Sequence, residues 1–253
     1  MDTSNYVAKF GSPTHPDMRL WEKLYQEQKD EWTSEAIDKE LLQFQDILTD
    51  GKTGLDVFIP MCGKSQVMLS FAEKGHRVVG IEWSELPVKQ FFEENGLAYS
   101  IRSSDIGGVE MPVYTAHDKT ITIYCGDLFA FKEDNLGGFD CIFDHGSIGS
   151  FDLTKVKRTT YAEIMDSFTK PGGRILLSFF DYEHSEHPTV PFATTEEEVA
   201  SLYGENFKTP ELLHEIDAAK TADLFNMDPT AGSILPVWTL SRFSWKLVLL
   251  VKH

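Results

Sequence analysis

The sequence predicts an α/β protein built on a doubly wound, mostly parallel sheet. Three observations carry this reading. Short apolar runs alternate with amphipathic segments from residue 55 to about 204, the order expected of βα units. The first run ends in a tight turn that leads straight into a helical pattern, and the second run ends in an acid, Glu82. No internal repeat and no linker divides the 253 residues, a length that suits one domain. Residues 1–253 are therefore expected to form a single domain: 1–16 a flexible lead-in, 17–50 a helical cover and 54–253 the α/β core.

Each element has its own signal. Residues 1–16 contain Gly11, Ser12, Pro13, Thr14, His15 and Pro16 with no period. Asp17 then caps a short helix carrying Trp21, Leu24 and Tyr25 on one face. A second helix is expected from Ser34, with Ile37, Leu41, Phe44 and Leu48 at helical spacing, stopping at Asp50-Gly51. Leu55–Ile59 reads as the first strand, Lys64–Lys74 as a helix closed by Gly75, and Arg77–Ile81 as the second strand. Ser84 caps the next helix, which tolerates Pro87 in its first turn and ends at Asn95-Gly96. Tyr99–Thr120 reads as short extended pieces with turns, for which a hairpin inserted at the sheet edge is one arrangement. Ile121–Cys125, Phe139–Phe143 and Arg174–Phe180 are strands, with a helix over Thr154–Phe168 before the last. Thr195-x-x-Glu198 is a capping box that opens a helix ending at Gly204. Leu212–Ile216 and Ser244–Val251 are the final strands, joined by an irregular segment.

Composition narrows the function. Forty acids against 23 bases give a net charge of −17 with no basic cluster, which excludes nucleic acid as an expected partner. No run of about 18 apolar residues predicts a membrane span, and Met1–Phe10 lacks an apolar signal core, so a cytoplasmic protein is expected; a monomer is also expected. Cys62, Cys125 and Cys141 have neither disulfide nor zinc spacing and read as small buried hydrophobes. His184-x-x-His187 lies in a polar, Pro-bounded loop and gives no metal expectation. Glu196-Glu197-Glu198 complements a helix N-terminus.

In a doubly wound sheet, ligands gather past the carboxyl ends of the strands. After strand one comes Pro60-Met61-Cys62-Gly63-Lys64-Ser65, with a single glycine. It is neither the GxGxxG of a dinucleotide site nor a Walker A loop, whose first glycine is missing. Nineteen residues after Gly63 stands Glu82, where a carboxylate accepts from ribose hydroxyls; the plain alternative is a solvated strand end. Asp127 is placed to read an adenine amine, with Leu128 and Phe129 as apolar walls, and Asp144-His145-Gly146-Ser147 closes the floor. A ribose acid and an adenine acid without a pyrophosphate loop suit S-adenosylmethionine. Trp21, Tyr25 and Trp32 then have a use as an aromatic cover, against the alternative of simple packing.

Val57-Phe58-Ile59-Pro60-Met61-Cys62-Gly63-Lys64 and Gly80-Ile81-Glu82-Trp83-Ser84-Glu85 closely resemble the thiopurine S-methyltransferases. The likeness continues through Phe139-Asp140, Asp144, Gly146, Tyr161-Ala162 and His187-Pro188. It implies a seven-stranded, Rossmann-like class I methyltransferase sheet with an N-terminal helical cover. It also implies S-adenosylmethionine as methyl donor, S-adenosylhomocysteine as product, and a small-molecule thiol as acceptor. The donor contacts it carries over are Trp21, Tyr25, Met61, Glu82, Asp127, Leu128 and His145, with Trp32 on the acceptor; Gly63 joins them from its place in the turn, and Asp144 or His145 is expected to assist deprotonation of a less acidic acceptor, the alternative for His145 being a pocket wall. Tyr25 stands where the animal enzymes have a tryptophan, and His145 where they have an arginine. A halide, thiocyanate or small-thiol methyltransferase and a non-catalytic S-adenosylmethionine-binding module are the alternative readings. A nicotinamide oxidoreductase is disfavoured by the missing glycine fingerprint.

Overall fold

The computed structural model describes residues 18–27, 31–131, 136–151, 155–227 and 235–253. The lead-in at 1–16, the Asp17 cap and Thr154 lie outside them. In chain order the elements are α1 (Met18–Gln26), α2 (Glu35–Leu42), α3 (Gln45–Thr49), β1 (Asp56–Pro60), α4 (Val67–Glu73), β2 (Arg77–Glu82), α5 (Glu85–Glu94), β3 (Tyr99–Ile106), β4 (Val109–Ala116), β5 (Ile121–Cys125), β6 (Phe139–His145), α6 (Lys155–Phe168), β7 (Thr169–Tyr182), α7 (Glu196–Tyr203), β8 (Glu211–Asp217), α8 (Ala218–Leu224) and β9 (Phe243–Val251). They form two compact units, Met1–Thr33 with Thr53–Gly137, and Ser34–Lys52 with Gly138–His253.

In the first unit the strands run in the order β3-β4-β5-β2-β1. β1 pairs parallel with β2 and β2 parallel with β5, while β4 runs against β5 and β3 against β4. Val57, Phe58 and Ile59 are buried without alternation, as expected of a parallel strand covered on both faces. α4 buries Val67, Met68 and Phe71 against β2 and β5, and α5 buries Val88, Phe91 and Phe92. Each fully buried phenylalanine contributes roughly 1.5–3 kcal/mol. Phe92 also meets the rings of Tyr99 and Tyr114, which fastens α5 to the β3–β4 hairpin.

In the second unit the order is β6-β7-β9-β8, with β6 and β7 parallel and β9 antiparallel to both its neighbours. α3 packs against β6 and β7, α6 against β7 and α7, and α8 against β8 and β9. The Arg174 guanidinium donates to the Ile47 carbonyl and the Asp50 carboxylate, and the Cys141 thiol to the Leu48 carbonyl, so the C-terminal end of α3 is satisfied from the sheet.

The doubly wound α/β class holds, with four corrections. Among the described residues the strands number nine rather than seven, because the edge segment adds β3 and β4 to the seven runs. The helix expected over Ser34–Leu48 breaks into α2 and α3. The Phe44 amide bonds to Leu41, three residues back, and the turn tightens there while the apolar spacing continues. The segment after β8 is not wholly irregular: Asp217 caps α8 by accepting from the Lys220 amide. Ser84 occupies a cap position, but its hydroxyl makes no cap bond; its amide is instead bonded to Glu82.

Candidate functional site

In the first unit, β1 reverses through Met61 and Gly63, both with positive φ (43° and 52°). Such a backbone is uncommon for a non-glycine residue and marks Met61 as locally strained. The Cys62 amide bonds to the Ile81 carbonyl, which keeps the turn against the end of β2. Gly80 makes room for this: a Cβ there would lie 2.6 Å from the Cys62 sulfur. Burial pushes the Cys62 thiol well above its ordinary range, so it stays protonated and packs as an apolar group.

Glu82 is the centre of this turn. One carboxylate oxygen accepts from the Gly63 amide at 2.9 Å and the other from the Ser84 amide at 2.8 Å. Burial raises its pKa to about 6, opposed by the amides of Ser84, Gly63 and Trp83. Each oxygen has a further lone pair with which to accept a hydroxyl. The Gly126 amide bonds to the Glu82 carbonyl, which sets the end of β5 beside that of β2. One residue on, Asp127 accepts from the Phe129 amide at 2.9 Å and caps a single turn over Leu128–Ala130 in which Leu128 is buried.

The N-terminal aromatics join the same turn. The Tyr25 hydroxyl lies where a Cβ on Gly63 would sit, 2.2 Å from that position, so only glycine admits it. The Trp32 indole N–H donates to the Tyr25 oxygen at 3.4 Å, and Trp21 meets Trp32 edge-on at 4.9 Å. Met61, Gly63, Glu82 and Tyr25 are thus held together directly, Trp21 and Trp32 extend them through ring contacts, and Asp127 and Leu128 stand on the adjoining strand end.

In the second unit, β6 delivers Asp144 and His145 to a turn through Gly146, whose φ is 70°. Both Asp144 oxygens are engaged: one accepts from the Ser147 amide at 2.9 Å, the other from the Tyr161 hydroxyl at 2.6 Å. The carboxyl is fully buried, and that burial raises its pKa to about 6. His145 is half-buried beside Trp245, with ring centroids 5.8 Å apart. Burial lowers its pKa to about 4, so the imidazole is neutral near pH 7. Tyr161 reads from sequence only as a core residue of α6, and helical spacing gives no sign of its carboxylate partner. His184 and His187 are taken up by aromatic neighbours, Phe192 and Tyr182.

The two buried carboxyls set a pH dependence. Their folded-state values lie above the unfolded ones, so between about pH 4 and 6 these two groups hold more protons in the folded chain, and their contribution to stability falls as pH rises through that window, while His145, with its folded value below the unfolded one, contributes in the opposite sense. Between pH 5 and 7 the pair is expected to cost about 2 kcal/mol of unfolding free energy. Urea midpoints at the two pH values, compared with those of a Glu82→Gln/Asp144→Asn double variant, measure this. A variant with the same pH slope as the parent refutes the assignment.

Known proteins resemble this chain in fold and in sequence. Two solved structures share the fold. One is the Burkholderia thailandensis 1,6-didemethyltoxoflavin-N1-methyltransferase with bound S-adenosylhomocysteine (TM-score 0.60, 15% identity, covering 100% of this chain and 91% of that one). The other is a Haemonchus contortus phosphoethanolamine N-methyltransferase (TM-score 0.59, 13% identity, 85% and 52% covered). The thiopurine S-methyltransferase of Bos taurus is 36% identical over 185 residues, 73% of this chain and 74% of its own length. That of Oryctolagus cuniculus is 33% identical over 201 residues, 76% and 80% of the two chains. Residues 17–231 match the family described as Thiopurine S-methyltransferase (TPMT), and the chain belongs to that family.

Proposed function

We propose that this enzyme, an S-adenosylmethionine-dependent methyltransferase, moves the methyl group to the sulfur of a small thiol. The observation that carries the reading is Glu82, buried and bonded to the amides of Gly63 and Ser84 in a turn with one glycine. That donor set suits a ribose and offers little to a pyrophosphate. When bound, S-adenosylmethionine supplies an electrophilic methyl carbon on a sulfonium sulfur.

The residues divide the remaining work. Glu82 accepts the ribose hydroxyls, Asp127 and Leu128 address the adenine, and Trp21, Tyr25, Met61 and Gly63 hold the rest of the donor and exclude water. Trp32 serves the acceptor. His145, neutral at physiological pH, takes a wall position rather than that of a fixed charge. Asp144 acts by positioning, because its oxygens already hold Ser147 and Tyr161. The acceptor sulfur forms the new carbon–sulfur bond, the electron pair of the broken bond leaves with the donor sulfur, and the thiol proton passes to solvent. A thiol enters such a displacement in part as thiolate, so alignment in a dry site matters more than a strong base. We place the reaction in the cytosol, a reading supported by Cys62, Cys125 and Cys141, which are buried as thiols rather than joined in disulfides. Among the described residues no helix is long and apolar enough to cross a membrane.

Incubation with methyl-labelled donor and, separately, thiophenol, 2-mercaptoethanol, a thiopurine and iodide tests the reading. Labelled thioether is the expected product. Labelled methyl iodide with no thioether, or donor binding with no product at all, overturns it.

A further inference from the structure

We propose that Ser84 is a further residue of the methyl-donor site, whose hydroxyl donates a hydrogen bond to a ribose hydroxyl of the adenosyl group. The proposal rests on the reading of Glu82 as ribose acceptor and adds the hydrogen-bond donor that such a site still needs.

Ser84 stands where α5 begins, and this chain shows what a residue in that place ordinarily does. Ser34 opens α2 by accepting from the Ile37 amide at 3.3 Å, Thr195 opens α7 by accepting from the Glu198 amide at 3.1 Å, and Asp217 opens α8 by accepting from the Lys220 amide at 2.8 Å. In each case the amide lies three residues on, a usual partner of a cap. Three residues after Ser84 comes Pro87, which has no N–H to give. The same proline takes the place of the acidic side chain that would complete a capping box. Glu85, the next residue, is engaged by the Tyr114 hydroxyl and by Lys89. The start of α5 therefore makes no use of the Ser84 hydroxyl.

That hydroxyl is nevertheless enclosed. Ser84 is 3% exposed, and its side-chain oxygen makes no hydrogen bond among the described residues. Most buried hydroxyls are paired, and an unpaired one costs stability. Its position indicates what would pair it. The Ser84 amide bonds to the Glu82 carboxylate at 2.8 Å, and covalent geometry keeps the hydroxyl of the same residue close to that amide.

The chemistry of this corner supplies the partner. An ionised carboxylate only accepts, so a ribose hydroxyl that gives its proton to Glu82 keeps lone pairs that call for a donor. The neighbouring backbone donors are spent: the amides of Gly63 and Ser84 on the Glu82 carboxylate, that of Gly126 on the Glu82 carbonyl. The Ser84 O–H still has a proton to offer. Glu82 accepting and Ser84 donating together match a hydroxyl group and disfavour a sugar that lacks it.

Calorimetric titration with S-adenosylhomocysteine and its 2′-deoxy and 3′-deoxy ribose analogues tests this. The titrations contain no methyl acceptor, so the outcome is independent of the thiol reading. Ser84→Ala is expected to raise the S-adenosylhomocysteine Kd about fivefold, the worth of one neutral hydrogen bond. Its Tm should hold or rise, because no bond within the protein is lost. With the analogue that lacks the hydroxyl met by Ser84, the native and Ser84→Ala chains should bind alike, while the other analogue keeps the fivefold gap. Ser84→Cys, similar in size but a weak donor, should follow Ser84→Ala, and carries the same comparison if the alanine chain does not fold. Equal Kd values for native and variant, a gap that persists with both analogues, or native-like binding by Ser84→Cys overturns the proposal. Glu82→Gln in the same titrations separates it from the reading on which it rests. If Glu82→Gln weakens binding and the Ser84 variants do not, the ribose reading stands and this proposal falls. If Glu82→Gln leaves affinity unchanged while one analogue closes the Ser84 gap, Glu82 leaves the site and Ser84 remains.

Discussion

Glu82→Gln is expected to weaken S-adenosylhomocysteine binding by about 100-fold, the loss of two charge-assisted hydrogen bonds. The carboxylate accepts the Gly63 amide with one oxygen and the Ser84 amide with the other. A glutamine presents one oxygen and one NH2, so one of those amides faces another donor. The turn then reopens on one side, and the ribose loses an acceptor at the same moment. Stability moves the other way, because a neutral side chain no longer suffers the burial that raises the Glu82 pKa to about 6. The signature is therefore a large rise in Kd by calorimetry, with a Tm that holds or rises. A rise in Kd accompanied by a fall in Tm would mean that the variant damages the turn as a whole, and unchanged affinity would remove Glu82 from the donor site.

Arg158→Met is expected to be the most damaging single change to stability, costing about 3–5 kcal/mol. Arg158 on α6 is 1% exposed. Its guanidinium donates to the Phe151 carbonyl at 3.2 Å, the Ala193 carbonyl at 3.0 Å and the Glu198 carboxylate at 2.6 Å. Three segments that are distant in sequence therefore share one cation: the turn after β6, the loop before α7, and the first turn of α7. Methionine fills much of the volume and leaves two carbonyls and a carboxylate without their donor. A drop in Tm of about 10 °C is expected for a chain of this size. A calorimetric Tm within two degrees of the parent would show that the site relaxes around the loss.

The same residue shows where sequence reading stopped. Thr195-x-x-Glu198 was legible as a capping box, and the Thr195 hydroxyl does accept from the Glu198 amide. The Glu198 carboxylate, however, is bonded to Arg158, 40 residues earlier in the chain, a partner that local spacing cannot reveal. Met61, Gly63 and Glu82 were legible because their placement follows from strand order alone. The Asp144–Tyr161 bond was not, since nothing in the helical period of α6 distinguishes a tyrosine that packs from one that also holds a carboxylate. α8 was missed although Asp217-Ala218-Ala219-Lys220 is a recognisable start; the Gly and Pro residues after it masked one short helix.

The β3–β4 hairpin has a bearing on how the chain survives its own synthesis. β5 buries Ile121, Ile123 and Cys125, and left as an outer strand it would offer an apolar template to other molecules. Pairing with β4 moves the border of the first unit's sheet outward to β3, a mainly polar edge where Ser100, Arg102, Ser103 and Asp105 are exposed alongside Ile101. The hairpin turns through Gly107-Gly108, with the Gly108 amide bonded to the Asp105 carboxylate, and its partners are close in sequence. Contacts this local form sooner than the crossover pairing of β1 with β2. The polar border is thus expected to stand before the parallel strands it protects, a safeguard against self-association acting while the methyl-transfer site is still unassembled.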